Sequence, residues 1–449
     1  IGYFDVNDEN YVFTSITALS LSDGTARVKT YLTGATGSLF MSESNLYLTA
    51  QRHLSQKEYF ERAVHEMILP LLPAREQGQI GELIKKGFDR ENSERMSEVL
   101  RNYSDSLKGE ERAQFDMNLK NQSESFMLRI QKELEKTKIF KISIQGNDIL
   151  YDGSGEVPGR VLNQFSMDEF DGKFRIATTT GNTLNGKSLN HLFVLNKELK
   201  IVGSVEDLAP GEQIHSVRFI GKRAYVVTFK KIDPFYVIDL SEEKPSVLGY
   251  LKIPGYSDYL HPYDETHIIG IGKNARGGGE NFAWYQGMKV SLFDVSDVEH
   301  PFESAHLDIG DRGTDSPALY DHHAFLFDKG KNLLVLPILL AQVDKSKLQG
   351  QNMDSAYGKP VWQGVYVIHI SPQNMSIQGR ISHTEQNVSE YGWTDYRTSI
   401  SRSLTLDDVL YTLSPHAIQA HTLDSMTEIA RLKLPEIEEP ILRYSRFTV

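Results

Sequence analysis

One short unit recurs along this chain and limits what it can fold into. In Tyr236-Val237-Ile238-Asp239-Leu240-Ser241, apolar residues alternate as on a strand; Glu242-Glu243-Lys244-Pro245 then supply a polar turn, and Ser246 to Leu251 read as a second strand. Alternation places Ile238 and Leu240 on one face of a sheet. The unit returns at Phe293-Asp294-Val295-Ser296-Asp297 and at Ile368-His369-Ile370-Ser371-Pro372. Degenerate copies lie at Leu19/Leu21, Ile142/Ile144, Phe193/Leu195 and His421/Leu423. That makes roughly seven copies of one strand–turn–strand unit, the mark of a repeat protein.

The spacing of the copies sets the size of the repeat. With Leu21, Ile144, Leu195, Leu240, Val295, Ile370 and Leu423 as equivalent anchors, most gaps are about 45 to 55 residues, close to a four-stranded propeller blade. Two gaps are longer. The one before Ile370 contains a polar loop from Gln342 to Pro360. The one before Ile144 contains residues 51–136, which are rich in Glu, Lys, Arg and Leu and show no alternation of period two.

That stretch reads as helical. Ser55-Gln56-Lys57-Glu58 is a capping box, and Pro70 and Pro73 mark the end of the helix it opens. Ile80, Leu83, Ile84 and Phe88 form a second apolar stripe, Met96, Val99, Leu100 and Tyr103 a third, and Phe115 through Leu134 a fourth. Spacings of three and four make these amphipathic helices, expected to form a small bundle. The expected organisation is therefore residues 1–50 as first strands, 51–136 as a helical insertion within one repeat, and 137–449 as the remaining repeats. The fold class is all-β, a seven-bladed β-propeller, with six or eight as the neighbouring counts. Only the first anchor lacks an upstream strand pair, so the terminal stretch 441–447 is expected to return and complete that blade beside the N-terminal strands.

Between anchors lie further strand pairs, among them Gln164–Met167 with Phe174–Thr179, Ser257–Leu260 with His267–Gly272, and Ala318–Phe327 with Leu333–Ile338. A resemblance becomes specific in this part of the chain. Leu208-Ala209-Pro210-Gly211-Glu212-Gln213-Ile214-His215-Ser216-Val217-Arg218-Phe219, Asp233-Pro234-Phe235-Tyr236-Val237-Ile238-Asp239-Leu240 and Gln286-Gly287-Met288-Lys289-Val290-Ser291-Leu292-Phe293-Asp294 carry it, with Asn163 to Glu169. The chain from about Ile139 onward resembles secreted prokaryotic β-propeller proteins distantly related to WD40 repeats. The resemblance implies export and a propeller fold, and it brings no reaction or catalytic residue.

Composition narrows the function. A formal net charge of −12 argues against nucleic acid as the main partner. With no cysteine there is no disulfide framework, thiolate chemistry or Cys-ligated zinc. No apolar run is long enough to span a membrane. Ile1 in first position reads as a mature form or a fragment. Asn102, Asn121, Asn374 and Asn387 each begin a glycan-acceptor triplet, which leans toward an exported protein.

Asp321-His322-His323 is the richest ligand cluster, with Asp258 and His261 at a similar place one repeat earlier. On a strand Asp321 and His323 share a face and His322 points away. The candidate metal ligands are accordingly Asp258, His261, Asp321 and His323, for a divalent ion such as calcium at one mouth of the propeller channel. Asp5, Asn7, Asp8 and Asn10 have oxygen-rich spacing but lack the distal Glu of a calcium loop, so a solvated turn is expected. Gly277-Gly278-Gly279 lacks the Lys-Ser/Thr ending of a phosphate cradle and reads as a loop. Trp284, Tyr285, Trp362, Tyr391, Trp393 and Tyr396 lie in or near long loops and suit contact with sugar or protein. The leading expectation is an extracellular or cell-surface binding scaffold for a protein or glycan. The rival is a metal-dependent hydrolase-type enzyme.

Overall fold

The structure is a computed structural model that describes residues 2–4, 12–51, 54–181, 187–229, 233–242, 244–253, 255–278, 283–347, 353–384 and 396–435. It is mostly β, with one helical region. Among the described residues the strands form one three-stranded sheet and six four-stranded sheets. The chain divides into two compact units, the first built from residues up to Leu208 and the second from Ala209 onward.

In the first unit, β2 (Phe13–Leu19) and β3 (Ala26–Leu32) form a hairpin, and β1 (Gly2–Tyr3) lies parallel to β3. Asp23 caps the hairpin turn by accepting the Thr25 backbone N–H at 3.0 Å, and Gly24 adopts a φ of 69° that favours glycine. Leu21 falls in this turn and is 95 % exposed, so it is not the equivalent of Leu195, Val295 and Ile370, which are buried; Ile144, Leu240 and Leu423 are half-buried. The turn reverses the chain at that point and leaves the side chain facing water. The stretch expected to complete this sheet, 441–447, lies outside the described residues, as do Asp5, Asn7, Asp8 and Asn10.

The second sheet runs β4 (Leu39–Met41), β5 (Asn45–Gln51), β6 (Lys136–Gln145) and β7 (Asp148–Pro158), and all the helices lie between β5 and β6. The third runs β8 (Met167–Phe170), β9 (Lys173–Thr180), β10 (Leu189–Leu195) and β11 (Ile201–Leu208). Gln164–Ser166, expected to be strand, is a 3-10 turn whose Asn163 cap accepts the Phe165 N–H. Stacked aromatic pairs join neighbouring sheets: Phe4 lies 4.2 Å from Phe140, and Tyr47 lies 4.2 Å from Phe174.

Helix α1 (Gln56–Arg62) opens at Ser55, whose Oγ accepts the Glu58 N–H at 3.0 Å. A π-turn (Ala63–Ile68) and a 3-10 turn (Leu69–Leu71) extend it as far as Leu71, between Pro70 and Pro73. Helices α2 (Ala74–Lys86), α3 (Arg90–Ser106) and α4 (Gly109–Leu134) follow. Val64, Leu72, Ile80, Met96 and Phe115 form their own buried cluster, so the helices have a core apart from that of the sheets.

The second unit contains four meandering sheets of four strands each. They are β12 (Gln213–Ile220) with β13 (Arg223–Phe229), β14 (Asp233–Asp239) and β15 (Ser246–Ile253); then β16 (Tyr256–Pro262), β17 (His267–Gly278), β18 (Ala283–Asp294) and β19 (Phe302–Ile309). After them come β20 (Leu326–Asp328), β21 (Leu333–Gln342), β22 (Lys359–Ser371) and β23 (Asn374–Ile381), and last β24 (Arg402–Leu406), β25 (Val409–Leu413), β26 (Ala417–Thr422) and β27 (Glu428–Lys433). Phe235 of the first of these sheets stacks on Phe293 of the next at 4.6 Å, inside a cluster with Val237, Leu260, Ile268 and Val295. Val335, Val365, Ile400 and Leu410 repeat that layer between the last two sheets.

The sequence unit has a physical basis. Asp239 and Asp294 end their strands by accepting the N–H groups of Ser241 and Ser296 at 3.0 and 2.8 Å, the side-chain turn that reverses the chain. Every four-stranded sheet also has a register shift between its third and fourth strands, which bends the outer strand and raises its twist.

Candidate functional site

The four candidate metal ligands all lie in the second unit, on or just before the first strands of two of its sheets. β12 and β16 each contain a bulge at a polar residue: pairing with the next strand skips His215 in β12 and Asp258 in β16. Gly272 stands opposite the β16 bulge, where a Cβ would collide with the Tyr256 carbonyl oxygen. A bulge turns the extra residue out of the strand's alternation. Here it brings His215 and Asp258 together, with Nδ1 3.1 Å from Oδ1. Asp258 is thus partnered by an imidazole and does not join the other candidates.

His261 also has its own surroundings. Its ring lies 4.7 Å from Phe325 and 5.6 Å from Phe327, and its Nδ1 is 3.2 Å from the Tyr259 hydroxyl. Burial, helped by the Arg218 charge, pushes its pKa down to about 4, so it is neutral at physiological pH.

Asp321, His322 and His323 do come together, and not as a strand would allow. The stretch expected to be strand from Ala318 to Phe327 is strand only over Leu326–Asp328. Before it stand two 3-10 turns, Pro317–Leu319 and His322–Ala324. Ser316 caps the first through the Ala318 N–H, with Pro317 in the opening position, and its hydroxyl donates to the Pro337 carbonyl at 2.6 Å. Asp321 caps the second, its Oδ1 accepting the His323 N–H at 3.0 Å. In a tight turn, consecutive side chains no longer alternate between two faces. The His322 and His323 ring centroids are 3.9 Å apart, and one ligand atom from each of the three residues lies within 4.8 Å of the others.

Charge surrounds this turn. Arg402, the first residue of β24, donates to Asp321 Oδ2 at 2.7 Å. Burial works against the Asp321 carboxylate, but the His323 N–H and Arg402 hold its pKa below the usual value. Burial, then the neighbouring His323, lowers that of His322, and Arg218 and Arg402 add to the effect. Side chains from three of the unit's four sheets, those of β12, β20 and β24, therefore influence one locus. Beside it, a cavity of about 240 Å³ is lined by Asp315, Pro317, Tyr320, Gln363, Ser399 and Ile400. Tyr320 immediately precedes Asp321 and is 78 % exposed.

Sequence reasoning overlooked His215, Arg218 and Arg402, and it set His322 aside on strand geometry. For His322 a signal was present: Ser316-Pro317 is a turn-opening pair, and proline interrupts a strand ladder. Of the aromatic candidates, Trp284 stacks under Arg312 at 4.5 Å and Trp362 meets Tyr366 edge-on at 5.3 Å, so both pack locally. Tyr285 and Tyr396 are exposed. Tyr391 and Trp393 lie outside the described residues. Gly277 and Gly278 end β17, and Gly279 lies outside the described residues.

Meandering four-stranded sheets repeated along a chain are the material of a propeller, and this chain belongs to the beta propeller domain family, whose profile matches residues 1–426. Its relatives include an uncharacterized protein of Methanocaldococcus jannaschii, 35 % identical over 74 % of this chain and 51 % of the relative. Another, from Archaeoglobus fulgidus, is 30 % identical over 94 % of this chain and 60 % of the relative. The chain thus spans between half and two thirds of the length of these relatives. Among solved structures, Saccharomyces cerevisiae Sqt1 aligns with a TM-score of 0.36 at 7 % identity, over 67 % of this chain and 70 % of that one. No helix among the described residues is long and apolar enough to cross a membrane.

Proposed function

We propose that the seven sheets are the seven blades of one propeller, related to the WD40 type, and that the protein is an extracellular or cell-surface binding scaffold. The blade assignment is supported by seven sheets following one another in chain order, within a family of propeller domains. Export is supported by the acceptor residues Asn102, Asn121 and Asn374, all on exposed positions. The observation that carries the binding reading is the cavity beside Tyr320. Its rim offers an exposed aromatic face, and its wall offers Asp315 and Ser399 as polar groups. An apolar ring face beside convergent polar groups suits a sugar ring, which presents C–H surfaces and hydroxyls together.

The test is retention of the purified chain on an array of neutral and acidic oligosaccharides, repeated with Tyr320→Ala. Retention that is lost in the variant supports a glycan site. No retention on any sugar removes it and leaves a protein as the ligand to seek. The second reading, a metal-dependent hydrolase-type enzyme, draws on the Asp321-His322-His323 turn at the cavity rim. Turnover of simple ester or phosphoester substrates by the wild type, abolished in Asp321→Asn, would favour it over a scaffold.

A further inference from the structure

We propose that the Asp321-His322-His323 turn binds a zinc-class divalent ion through one carboxylate oxygen and one ring nitrogen from each imidazole, with the remaining coordination left to water. The proposal depends on neither reading of the adjacent cavity.

Local backbone geometry builds the site. Ser316-Pro317 prevents a regular strand, Asp321 caps the following turn, and the three donor atoms come within 4.8 Å of one another without help from any other element. A tetrahedral ion with donors at about 2 Å needs atoms gathered at this scale, with small side-chain rotations to close them. The carboxylate is already oriented. Its two oxygens accept from the His323 N–H and from Arg402, and each keeps a further lone pair, the hydrogen-bonded state in which ligating carboxylates are usually held.

The donor set selects the ion. Two imidazoles and one carboxylate match zinc, cobalt or nickel, whereas calcium takes six to eight oxygens and magnesium an oxygen octahedron. This differs from the calcium first expected for the site. It also differs in membership. Asp258 is held by His215 and His261 packs against Phe325, so His322 replaces them beside Asp321 and His323. The guanidinium of Arg402 costs some affinity by repulsion, and binding weaker than at a four-ligand structural zinc site follows.

The experiment titrates the full chain with zinc and with calcium by calorimetry, and with cobalt by its visible absorption. One zinc or cobalt ion per chain is expected, with no heat from calcium beyond dilution. His323→Gln, at an exposed position, and His322→Ala should abolish stoichiometric binding while circular dichroism stays unchanged. Asp258→Asn and Tyr320→Ala should bind as the wild type does, so a failed glycan site would leave the metal result standing. Absence of stoichiometric zinc, or full binding retained in His323→Gln, would overturn the proposal. Loss of binding in Asp258→Asn would overturn the ligand set.

Discussion

β16 and the segment leading into β20 occupy the same place in neighbouring sheets, since each supplies the first of four strands. β16 is a strand of seven residues, anchored by Leu260, which is 1 % exposed within an apolar cluster shared with β12's sheet. β20 is a strand of three residues, and the turns before it bury only small side chains, Ala318 and Ala324, with the hydroxyls of Thr314 and Ser316. Hydrophobic burial holds the first and hydrogen bonds hold the second. The difference shows how one repeat can specialise. A strand separates its polar residues, so Asp258 and His261 find different partners, whereas a capped turn gathers three consecutive ones. Giving up strand at one position costs the sheet little, because β21 and β22 still pair along ten residues of β21.

If burial anchors β16, Leu260→Ala should give the largest effect. A loss of about 2 to 5 kcal/mol is expected for a fully buried leucine, read from urea denaturation. A change well under 1 kcal/mol would place the anchor elsewhere.

Acid should strike the buried histidines next. His261 faces Tyr259, Phe325, Phe327 and the Arg218 charge, and His383 bonds to Ser414 and Thr412 with Arg431 acting on it. Burial depresses both pKa values from the ordinary 6.5 to about 4. Both groups are neutral in the folded state and would take a proton on unfolding. Their contribution is therefore complete above pH 6.5 and is lost as pH falls toward 4. Each is worth roughly 3 kcal/mol across that window. Melting temperature followed through it should fall, and His261→Phe should flatten the fall while leaving the His383 part. A variant as acid-sensitive as the wild type would contradict the assignment to His261.

Ser316→Ala tests the hydrogen-bonded segment. Ser316 is 1 % exposed and its hydroxyl joins the Pro337 carbonyl to the Ala318 N–H. Removing it leaves both without their partner and should cost about 1 to 2 kcal/mol in a denaturant titration. No measurable loss would mean that the turns are held by something other than these bonds. The smallest effect is expected from His323→Ala, whose side chain is exposed: within about 0.5 kcal/mol of wild type. A larger destabilisation would show His323 to be a structural group.

Much of the architecture was legible because it rests on local chemistry. Alternation around Ile238 and Phe293, followed by an aspartate that folds back on the next N–H, encodes strand and turn within a few residues. The capping box at Ser55 and the apolar stripe that includes Ile80 and Met96 encode helices in the same way. Leu21 misled because an apolar residue in a hairpin turn looks, in sequence, like one at a strand end. Nothing local says whether a neighbouring sheet will cover it. The site was read less well. Two bulges redirected His215 and Asp258, and a bulge shows only when two strands are paired.

Taken alone, then, the sequence determined the repeat, its strand-and-turn grammar and the helical interruption. Each depends on residues close enough along the chain to constrain one another's backbone. Tertiary structure decided which polar residues meet. It set Arg402 of β24 on Asp321, Phe325 on His261 and Asp258 on His215, across separations of 81, 64 and 43 residues. Contacts between sheets arise from packing and register, and neither is written in the spacing of the residues that make them.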